Sequence, residues 1–446
     1  MIHKVLIANR GEIAVRVIRT CREMGVKTVA VYSTVDKDAL HVRMADQAVC
    51  IGPPPAADSY LNVPAILSAI EITDSDSVHP GYGFLAENAA FAEICRNYGV
   101  RFIGPSPEAI RLMGDKIEAR RAVGKSRVPV VPGSEGAVTE EEEGLRIAKE
   151  IGFPVIVKAS SGGGGRGMRV IRGAEELSPL FHQAQAEAAA AFGNGDLYME
   201  KFIERPRHIE FQMLADAYGS VVSLGERECS IQRRHQKLLE ESPSTQVTAE
   251  MRERVGKQLS AALSKIGYVN AGTVEFLMDE ERKLHFIEMN TRIQVEHPVT
   301  EMVTDIDLVK SQILLAAGER MENVLHGEIE MRGHAIECRI NAEHPEKFTP
   351  SAGKITTFNP PGGTGVRVDT AAYAEAVIPP YYDSLIAKLI TRGKDRQEAA
   401  SRMARALGMF IVEGIYTSIP LQRKIVTDPD FLAGDVDTKF MERFMK

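Results

Sequence analysis

Two glutamates on a predicted β-hairpin have the spacing to bind a divalent cation. The stretches 272–277 and 283–290 both look like β-strands. A regular hairpin pairs residues whose numbers have a constant sum, which sets Glu275 opposite Glu288. Opposed like charges destabilise a strand pair unless a cation neutralises them, and carboxylate oxygens suit Mg2+ or Mn2+. Asn290 shares the face of Glu288. The pattern predicts a divalent-metal site, with a solvated hairpin face as the alternative.

A glycine-rich segment joins two other predicted strands. Residues 160–168 read SSGGGGRGM, and Lys158 precedes them. Successive backbone N–H groups without side chains can form a concave nest for phosphate oxygens, and Lys158, Arg166 or Lys116 would add positive charge. The chain lacks the Gly-x-x-x-x-Gly-Lys-Ser/Thr pattern of a Walker-type loop. The segment therefore favours nucleotide binding, and a flexible hairpin loop is the alternative.

A polar segment follows the second carboxylate of the hairpin. Within residues 291–298, Arg292 offers a planar fork for an anion such as bicarbonate, and Glu296 is a candidate base. In the predicted strand 334–340, the apolar residues share one face, so Arg339 lies on the other. An ordinary polar loop and a solvent-exposed arginine are the alternatives.

Three further segments have both structural and functional interpretations. Residues 79–84 combine rings and glycines in a predicted turn, 232–237 form a basic cluster, and 200–203 read as a strand end and linker. A structural turn, a solvated charge run and a plain strand end would each explain them. None of the three identifies a function alone.

Composition excludes several classes of protein. The chain has 446 residues, which favours two or three domains. The formal net charge of −7 argues against broad attraction to nucleic acid or anionic lipid. The five cysteines are widely spaced, which indicates reduced core thiols. We find neither a secretory leader nor an apolar run of membrane-spanning length, so we expect a cytoplasmic protein without nucleic-acid or membrane partners.

The elements that must position these residues divide into four predicted regions. Residues 1–114 alternate strand and helix, which predicts a Rossmann-like α/β domain. Gly11 is the only glycine of the first strand-to-helix turn, so a dinucleotide fingerprint is absent. Residues 115–130 are predicted to be a linker with one helix, and 131–203 a small α+β unit the size of a mobile lid. The largest domain is predicted over 204–446.

Four motifs, taken in chain order, resemble the biotin carboxylases, the ATP-grasp components of acetyl-CoA, pyruvate and propionyl-CoA carboxylases. They are IANRGEIA at 7–14, HPGYGFL at 79–85, GGGRGM at 163–168 and EMNTRIQVEHP at 288–298. The resemblance covers nearly the whole chain. It implies a Rossmann-like N-terminal domain, an ATP-grasp lid and core, and a C-terminal β-rich biotin carboxylase region.

The resemblance also implies an ATP site with two divalent ions. Its metal ligands would be Glu275, Glu288 and Asn290, which agrees with the hairpin argument. The ATP-binding positions that match the family are Lys116, Lys158, Gly163, Gly164, Gly165, Gly167, Met168, Glu200, Lys201, Phe202, Ile203, His208, Gln232, His235, Leu277, Glu275 and Glu288.

The remaining matched positions concern bicarbonate and biotin. The resemblance implies that bicarbonate is held by Lys237, Arg292, Gln294 and Val295 while Glu296 removes its proton. The product of attack on ATP would be carboxyphosphate, which releases CO2 beside biotin. Arg339 would stabilise the enolate-like biotin oxygen, and Tyr82 would pack near the biotin ring. Arg292, Glu296, Arg339 and Lys237 are then the catalytic residues.

The resemblance implies partners as well. No Met-Lys-Met biotin attachment site occurs, so biotin is expected on a separate carrier protein that also serves carboxyltransferase subunits. Arg19 and Glu23 match a two-fold contact, which predicts a homodimer. Acetyl-CoA, for fatty acid synthesis, is the expected final acceptor, favoured weakly by Arg166, and pyruvate and propionyl-CoA are alternatives. Another ATP-grasp ligase and a nonenzymatic nucleotide-binding regulator are the competing functions.

Overall fold

A computed structural model of the chain describes residues 1–159 and 168–446. Several predicted phosphate-loop residues lie outside these ranges: Gly163, Gly164, Gly165, Arg166 and Gly167. None of the helices in the described ranges combines the length and the apolar composition that a membrane span needs.

The N-terminal region is a parallel α/β unit, as predicted. Its elements are β1 (Lys4–Ile7), α1 (Gly11–Glu23), β2 (Lys27–Ser33), α2 (Leu40–Met44), β3 (Gln47–Gly52), α3 (Val63–Ile72), β4 (Ser77–His79), α4 (Ala89–Asn97) and β5 (Arg101–Phe102). The strands form a sheet in the order β3-β2-β1-β4-β5, with parallel pairing throughout. The central strand is apolar on both faces because helices cover both sides.

Two helices connect this unit to the rest of the molecule. They are α5 (Pro107–Gly114) and α6 (Lys116–Gly124), and the Asp115 side chain accepts hydrogen bonds from the first backbone N–H groups of α6. Met113 and Val123 pack into the same core as Phe286 of the largest sheet. The predicted helix in segment 115–130 is therefore present, and it contributes to the core.

The next unit is a small layer of two helices on a sheet. It consists of α7 (Glu141–Ile151), β6 (Val155–Ala159), β7 (Arg169–Ile171), α8 (Ala174–Phe192) and β8 (Leu197–Lys201). The strands are ordered β7-β6-β8 with antiparallel pairing. Val157, Phe181 and Met199 lie in a core of its own.

The largest sheet carries most of the charged residues that the sequence singles out. Its first part comprises β9 (Arg207–Ala215), β10 (Val221–Arg233), β11 (Gln236–Ser242), α9 (Ala249–Ile266), β12 (Asn270–Met278), β13 (Leu284–Asn290), α10 (His297–Thr304), α11 (Leu308–Ala316) and α12 (Met321–Val324).

The rest of the chain adds further strands to this sheet and a helical layer. Its elements are β14 (His334–Asn341), β15 (Gly353–Lys354), β16 (Thr357–Asn359), β17 (Val366–Thr370), β18 (Val377–Ile378), β19 (Leu385–Gly393), α13 (Arg396–Met409), β20 (Ile411–Glu413), α14 (Ile419–Val426), α15 (Pro429–Ala433) and α16 (Phe440–Phe444). The sheet order is β13-β12-β9-β10-β11-β14-β19-β17, with every neighbouring pair antiparallel. Apolar residues of β14 and β19 pack against α13 and α14.

Candidate active site

A row of charged residues crosses four neighbouring strands of the largest sheet. Glu288 pairs with Glu275, as the hairpin pattern predicts, and Glu275 pairs in turn with Glu210 on β9. Arg227 of β10 lies opposite Glu210 and is fully buried. We call Glu288, Glu275 and Glu210 the carboxylate row. Since directly opposed like charges repel, the row is stable only with cations beside it.

Lys237 of β11 supplies one of those cations. Its Nζ lies 2.7 Å from Glu210 Oε2, 3.1 Å from Glu275 Oε1 and 2.6 Å from Glu296 Oε1. Burial by itself would lower the pKa of Lys237, but the three carboxylates raise it well above the usual range. The lysine is therefore protonated and links the carboxylate row to Glu296.

The end of the carboxylate row has the donors for a divalent cation. The Nδ2 atom of Asn290 donates to Glu275 Oε1 at 2.8 Å. Glu288 is 43% exposed, and among the described residues its nearest cation is the Lys116 ammonium at 4.0 Å. His208 Nε2 lies 2.9 Å from Glu275 Oε2. The carboxylate oxygens of Glu275 and Glu288 and the amide oxygen of Asn290 are hard metal ligands, and together they carry excess negative charge. This end of the row therefore fits Mg2+ or Mn2+.

The segment after β13 turns back toward the row. Arg292 donates from Nε to Glu87 Oε2 at 2.9 Å and from Nη2 to Asn290 Oδ1 at 2.8 Å. Gln294 donates to Glu275 Oε1 at 2.8 Å. The Val295 carbonyl accepts a hydrogen bond from Lys388. Arg292 and Gln294 thus lie beside Asn290 and Glu275, at the Glu288 end of the carboxylate row.

Glu296 is completely buried between two cations. Its Oε1 atom faces Lys237, and its Oε2 atom lies 2.9 Å from Nη2 of Arg339. Burial would raise the pKa of Glu296, but Lys237, Arg339 and Arg227 hold it well below the usual range. The free protein therefore holds Glu296 ionised, in a form able to accept a proton.

Arg339 reaches this point from β14, on the polar face that strand alternation predicts. Its Nε donates to Glu240 Oε1 at 2.6 Å. Burial raises the pKa of Glu240 to about 7, although Arg339 opposes the shift. Tyr82, in the turn after β4, donates its hydroxyl to Glu12.

The predicted adenine and phosphate residues on the small unit form a separate group. The Glu200 carboxylate binds Arg120 at 2.8 Å and Lys158 at 2.5 Å. Lys201 donates its ammonium to the carbonyls of Gly152 and Phe153. Its side chain therefore has a structural role in the described contacts.

The other predicted nucleotide residues lie at element ends or in strands. Met168 precedes β7, while Phe202 and Ile203 follow β8 directly. His235 lies exposed in the turn between β10 and β11. Just before that turn, Gln232 on β10 is the cross-strand partner of Lys237 on β11. Leu277 on β12 is the cross-strand partner of His208 on β9.

Sequence reasoning missed five residues that hold this site together. Glu210, Arg227 and Lys388 are charged residues of β9, β10 and β19, and each is fully buried. Only Lys388 carried a sequence signal, because it interrupts an apolar run in β19 and buried charges are rare unless they are paired. Glu87 and Glu240 carried no such signal, since only the tertiary fold brings them to Arg292 and Arg339.

Comparison with known proteins identifies the family. The model of the biotin carboxylase N-terminal domain matches residues 1–110, that of the carbamoyl-phosphate synthase L chain ATP-binding domain matches 115–324, and that of the biotin carboxylase C-terminal domain matches 337–443. Over 444 residues the chain is 57% identical to the biotin carboxylase of Nostoc sp., covering 99% of both. The chain belongs to the biotin carboxylase family.

Solved biotin carboxylases have the same architecture. A complex of the Campylobacter jejuni biotin carboxylase with β-γ-ATP superposes with a TM-score of 0.95 at 47% identity, covering 99% of both chains. The biotin carboxylase domain dimer of the Hydrogenobacter thermophilus 2-oxoglutarate carboxylase, with MgADP, ADP and bicarbonate, superposes at 0.93 and 51% identity, covering 100% of this chain and 99% of the other. The family and fold predicted from the motifs are therefore confirmed, and the chain is an ATP-grasp enzyme.

Proposed function

We propose that Glu296 is the base that deprotonates bicarbonate, in an ATP-dependent carboxylation of biotin that proceeds through carboxyphosphate. The observation that carries this proposal is the burial of an ionised Glu296 between Lys237 and Arg339. With both cations bound to it, Glu296 is a weak base. Bicarbonate competes with Glu296 for Lys237 and Arg339. Each cation contact that Glu296 loses to bicarbonate raises the pKa of Glu296. Substrate binding thus activates the base.

Arg292 and Lys237 are proposed to hold the bicarbonate anion. Arg292 is oriented by Glu87 and Asn290, so its planar fork is fixed before the anion arrives. Gln294 and the backbone of Val295 complete the pocket in this proposal. The deprotonated bicarbonate oxygen then attacks the γ-phosphorus of ATP, which gives carboxyphosphate and ADP.

The carboxylate row is proposed to hold the metal ions of MgATP. Glu275, Glu288 and Asn290 would be the ligands, and two bound Mg2+ or Mn2+ ions would neutralise phosphate charge. His208 and Lys116, which lie beside the row, are proposed to contact the nucleotide. Support also comes from the Hydrogenobacter thermophilus relative, whose structure contains MgADP and bicarbonate.

Residues 131–203 are proposed to be the lid over ATP, connected through residues 115–130. The small unit has its own hydrophobic core, which supports movement as one body. Lys158 and Glu200 on its sheet, the glycine segment and residues 201–203 are proposed to contact the nucleotide. A closing lid would exclude water from carboxyphosphate, which hydrolyses readily.

Arg339 and Tyr82 are proposed to receive biotin. Arg339 is a partly buried guanidinium beside the proposed base, suited to stabilise negative charge that develops on the ureido oxygen. Once carboxyphosphate has released CO2, the remaining phosphate is proposed to take the ureido N–H proton. The deprotonated ureido nitrogen then attacks CO2 to give carboxybiotin, and Glu296 is regenerated when its proton leaves with the departing phosphate.

The experiment is to measure bicarbonate-dependent ATP cleavage with and without free biotin, for the wild-type protein and Arg339→Gln. We expect biotin to stimulate ATP cleavage by the wild-type protein. In Arg339→Gln the biotin-stimulated rate should be about 100-fold lower. Arg396→Gln is the matched control, because Arg396 forms a similar buried pair with Glu241 and its side chain is 15% exposed, against 17% for Arg339. Cleavage that ignores biotin would indicate another ATP-grasp ligase, and absence of cleavage would indicate a regulator.

We further propose that this chain forms a homodimer and acts on biotin carried by a separate carrier protein, together with carboxyltransferase subunits. Arg19 and Glu23 are exposed on α1, available for the dimer contact, and the Hydrogenobacter thermophilus relative is a dimer. Acetyl-CoA is the proposed final acceptor, with pyruvate and propionyl-CoA as alternatives. Sedimentation of Arg19→Glu tests the dimer, and identifying the proteins captured with this chain tests the acceptor.

A further inference from the structure

The turn between β1 and α1 has no nucleotide-binding fingerprint, yet its side chains make many long-range contacts. Asn9 donates from Nδ2 to the carbonyls of Pro80 and Tyr82, both at 2.7 Å. The contact requires glycine at position 81, where φ is +61° and a Cβ atom would lie 2.9 Å from Asn9 Nδ2. The turn therefore fixes the backbone that carries Tyr82.

Arg10 binds the same turn to the C-terminal region. It donates to Asp36 at 2.7 Å, and its guanidinium lies 4.2 Å from the ring centroid of Tyr382. Tyr382 in turn donates its hydroxyl to the Pro54 carbonyl. Residues far apart in the chain thus meet at this one turn.

Glu12 makes the contacts closest to the proposed chemistry. Its Oε1 atom accepts the Tyr82 hydroxyl and lies 3.1 Å from Nζ of the fully buried Lys388. Lys388 donates to the Val295 carbonyl at 2.9 Å and is the cross-strand partner of Arg339. One carboxylate therefore links the Tyr82 ring to the segment proposed to bind bicarbonate.

We propose that Glu12 is a positioning residue that sets the distance between the biotin side and the bicarbonate side of the site. This inference rests on the proposed function, in which Tyr82 borders biotin and Val295 borders bicarbonate. Carboxyphosphate reacts with biotin only if the two are correctly oriented, and a displacement of about 1 Å can reduce the rate of such a step about 100-fold. When transfer slows, water consumes the intermediate, and ATP is cleaved without carboxylation of biotin.

The number of ATP molecules cleaved per carboxybiotin formed, with free biotin as the acceptor, tests the inference. We expect Glu12→Gln to raise this ratio about tenfold, because the amide loses the charge that orients Lys388. Tyr82→Phe keeps the ring and the carboxylate, and it should raise the ratio about threefold. The double variant should resemble Glu12→Gln, because Tyr82 acts through the same carboxylate.

Glu226→Gln is the matched control, because Glu226 is an equally buried carboxylate. Its partner Arg252, at 2.6 Å, belongs to neither the biotin side nor the bicarbonate side of the site. An unchanged ratio in both Glu12→Gln and Tyr82→Phe would overturn the inference, as would an equal rise in Glu226→Gln. If Glu12→Gln does not fold, the Tyr82→Phe ratio decides alone. A wild-type protein that biotin does not stimulate would instead refute the proposed function.

Discussion

The Glu87 carboxylate fixes the position of Arg292, so we expect Glu87→Gln to raise the KM for bicarbonate. Glu87 Oε2 accepts from Arg292 Nε at 2.9 Å, and Oε1 accepts from the Thr291 backbone N–H at 3.0 Å. Glutamine has a single acceptor oxygen and no charge, so it cannot serve both donors. The guanidinium should then sample other orientations when bicarbonate arrives.

The size of the expected rise in KM follows from the solvent exposure of the Glu87–Arg292 pair. A hydrogen bond to a charged group contributes about 1.5–3 kcal/mol, and screening by solvent reduces that value. The Glu87 side chain is 39% exposed and that of Arg292 is 20% exposed, so the lower end applies. A loss of about 1–1.5 kcal/mol corresponds to a rise in KM of roughly tenfold.

The assay is bicarbonate-dependent ATP cleavage measured over a range of bicarbonate concentrations, with ATP saturating. Glu93→Gln is the control, because Glu93 is also 39% exposed and pairs with Arg111 away from the site. We expect the KM for ATP to stay unchanged in both variants. A KM for bicarbonate within twofold of wild type in Glu87→Gln would refute the positioning argument.

Two further predictions concern the charges of the site. Glu288→Gln removes one of two opposed carboxylates, so it should stabilise the metal-free protein by about 0.2–1 kcal/mol yet reduce Mg2+-dependent ATP cleavage about 100-fold; urea unfolding without metal, beside the assay, checks both. Glu240 has a pKa raised to about 7 in the folded protein, so the folded state binds the extra proton and loses stability as the pH rises from about 4.5 to 7. Glu240→Gln should remove this loss of stability, which is at most about 3 kcal/mol. The prediction would be contradicted if the free energy of unfolding changed by the same amount in wild type and variant between pH 5 and pH 8.

The sequence predicted those parts of the site that depend on geometry within one element or one hairpin. Alternation along β14 assigns Arg339 to the polar face, and the constant sum of a regular hairpin pairs Glu275 with Glu288. Between this pair and the hairpin turn, the predicted register was wrong. A bulge after Glu275 shifts the register by one residue, so Phe276 faces Phe286.

Only the tertiary structure decided which polar faces meet. Glu210 lies beside Glu275 because β9 is inserted between β10 and β12, an order that strand patterns do not encode. Glu87 reaches Arg292 over 205 residues, and Glu12 reaches Lys388 from the first helix of the chain. A local pattern fixes the direction of a side chain within its own element. Its partners depend on how separate elements pack, and burial of apolar surface throughout the chain determines that packing.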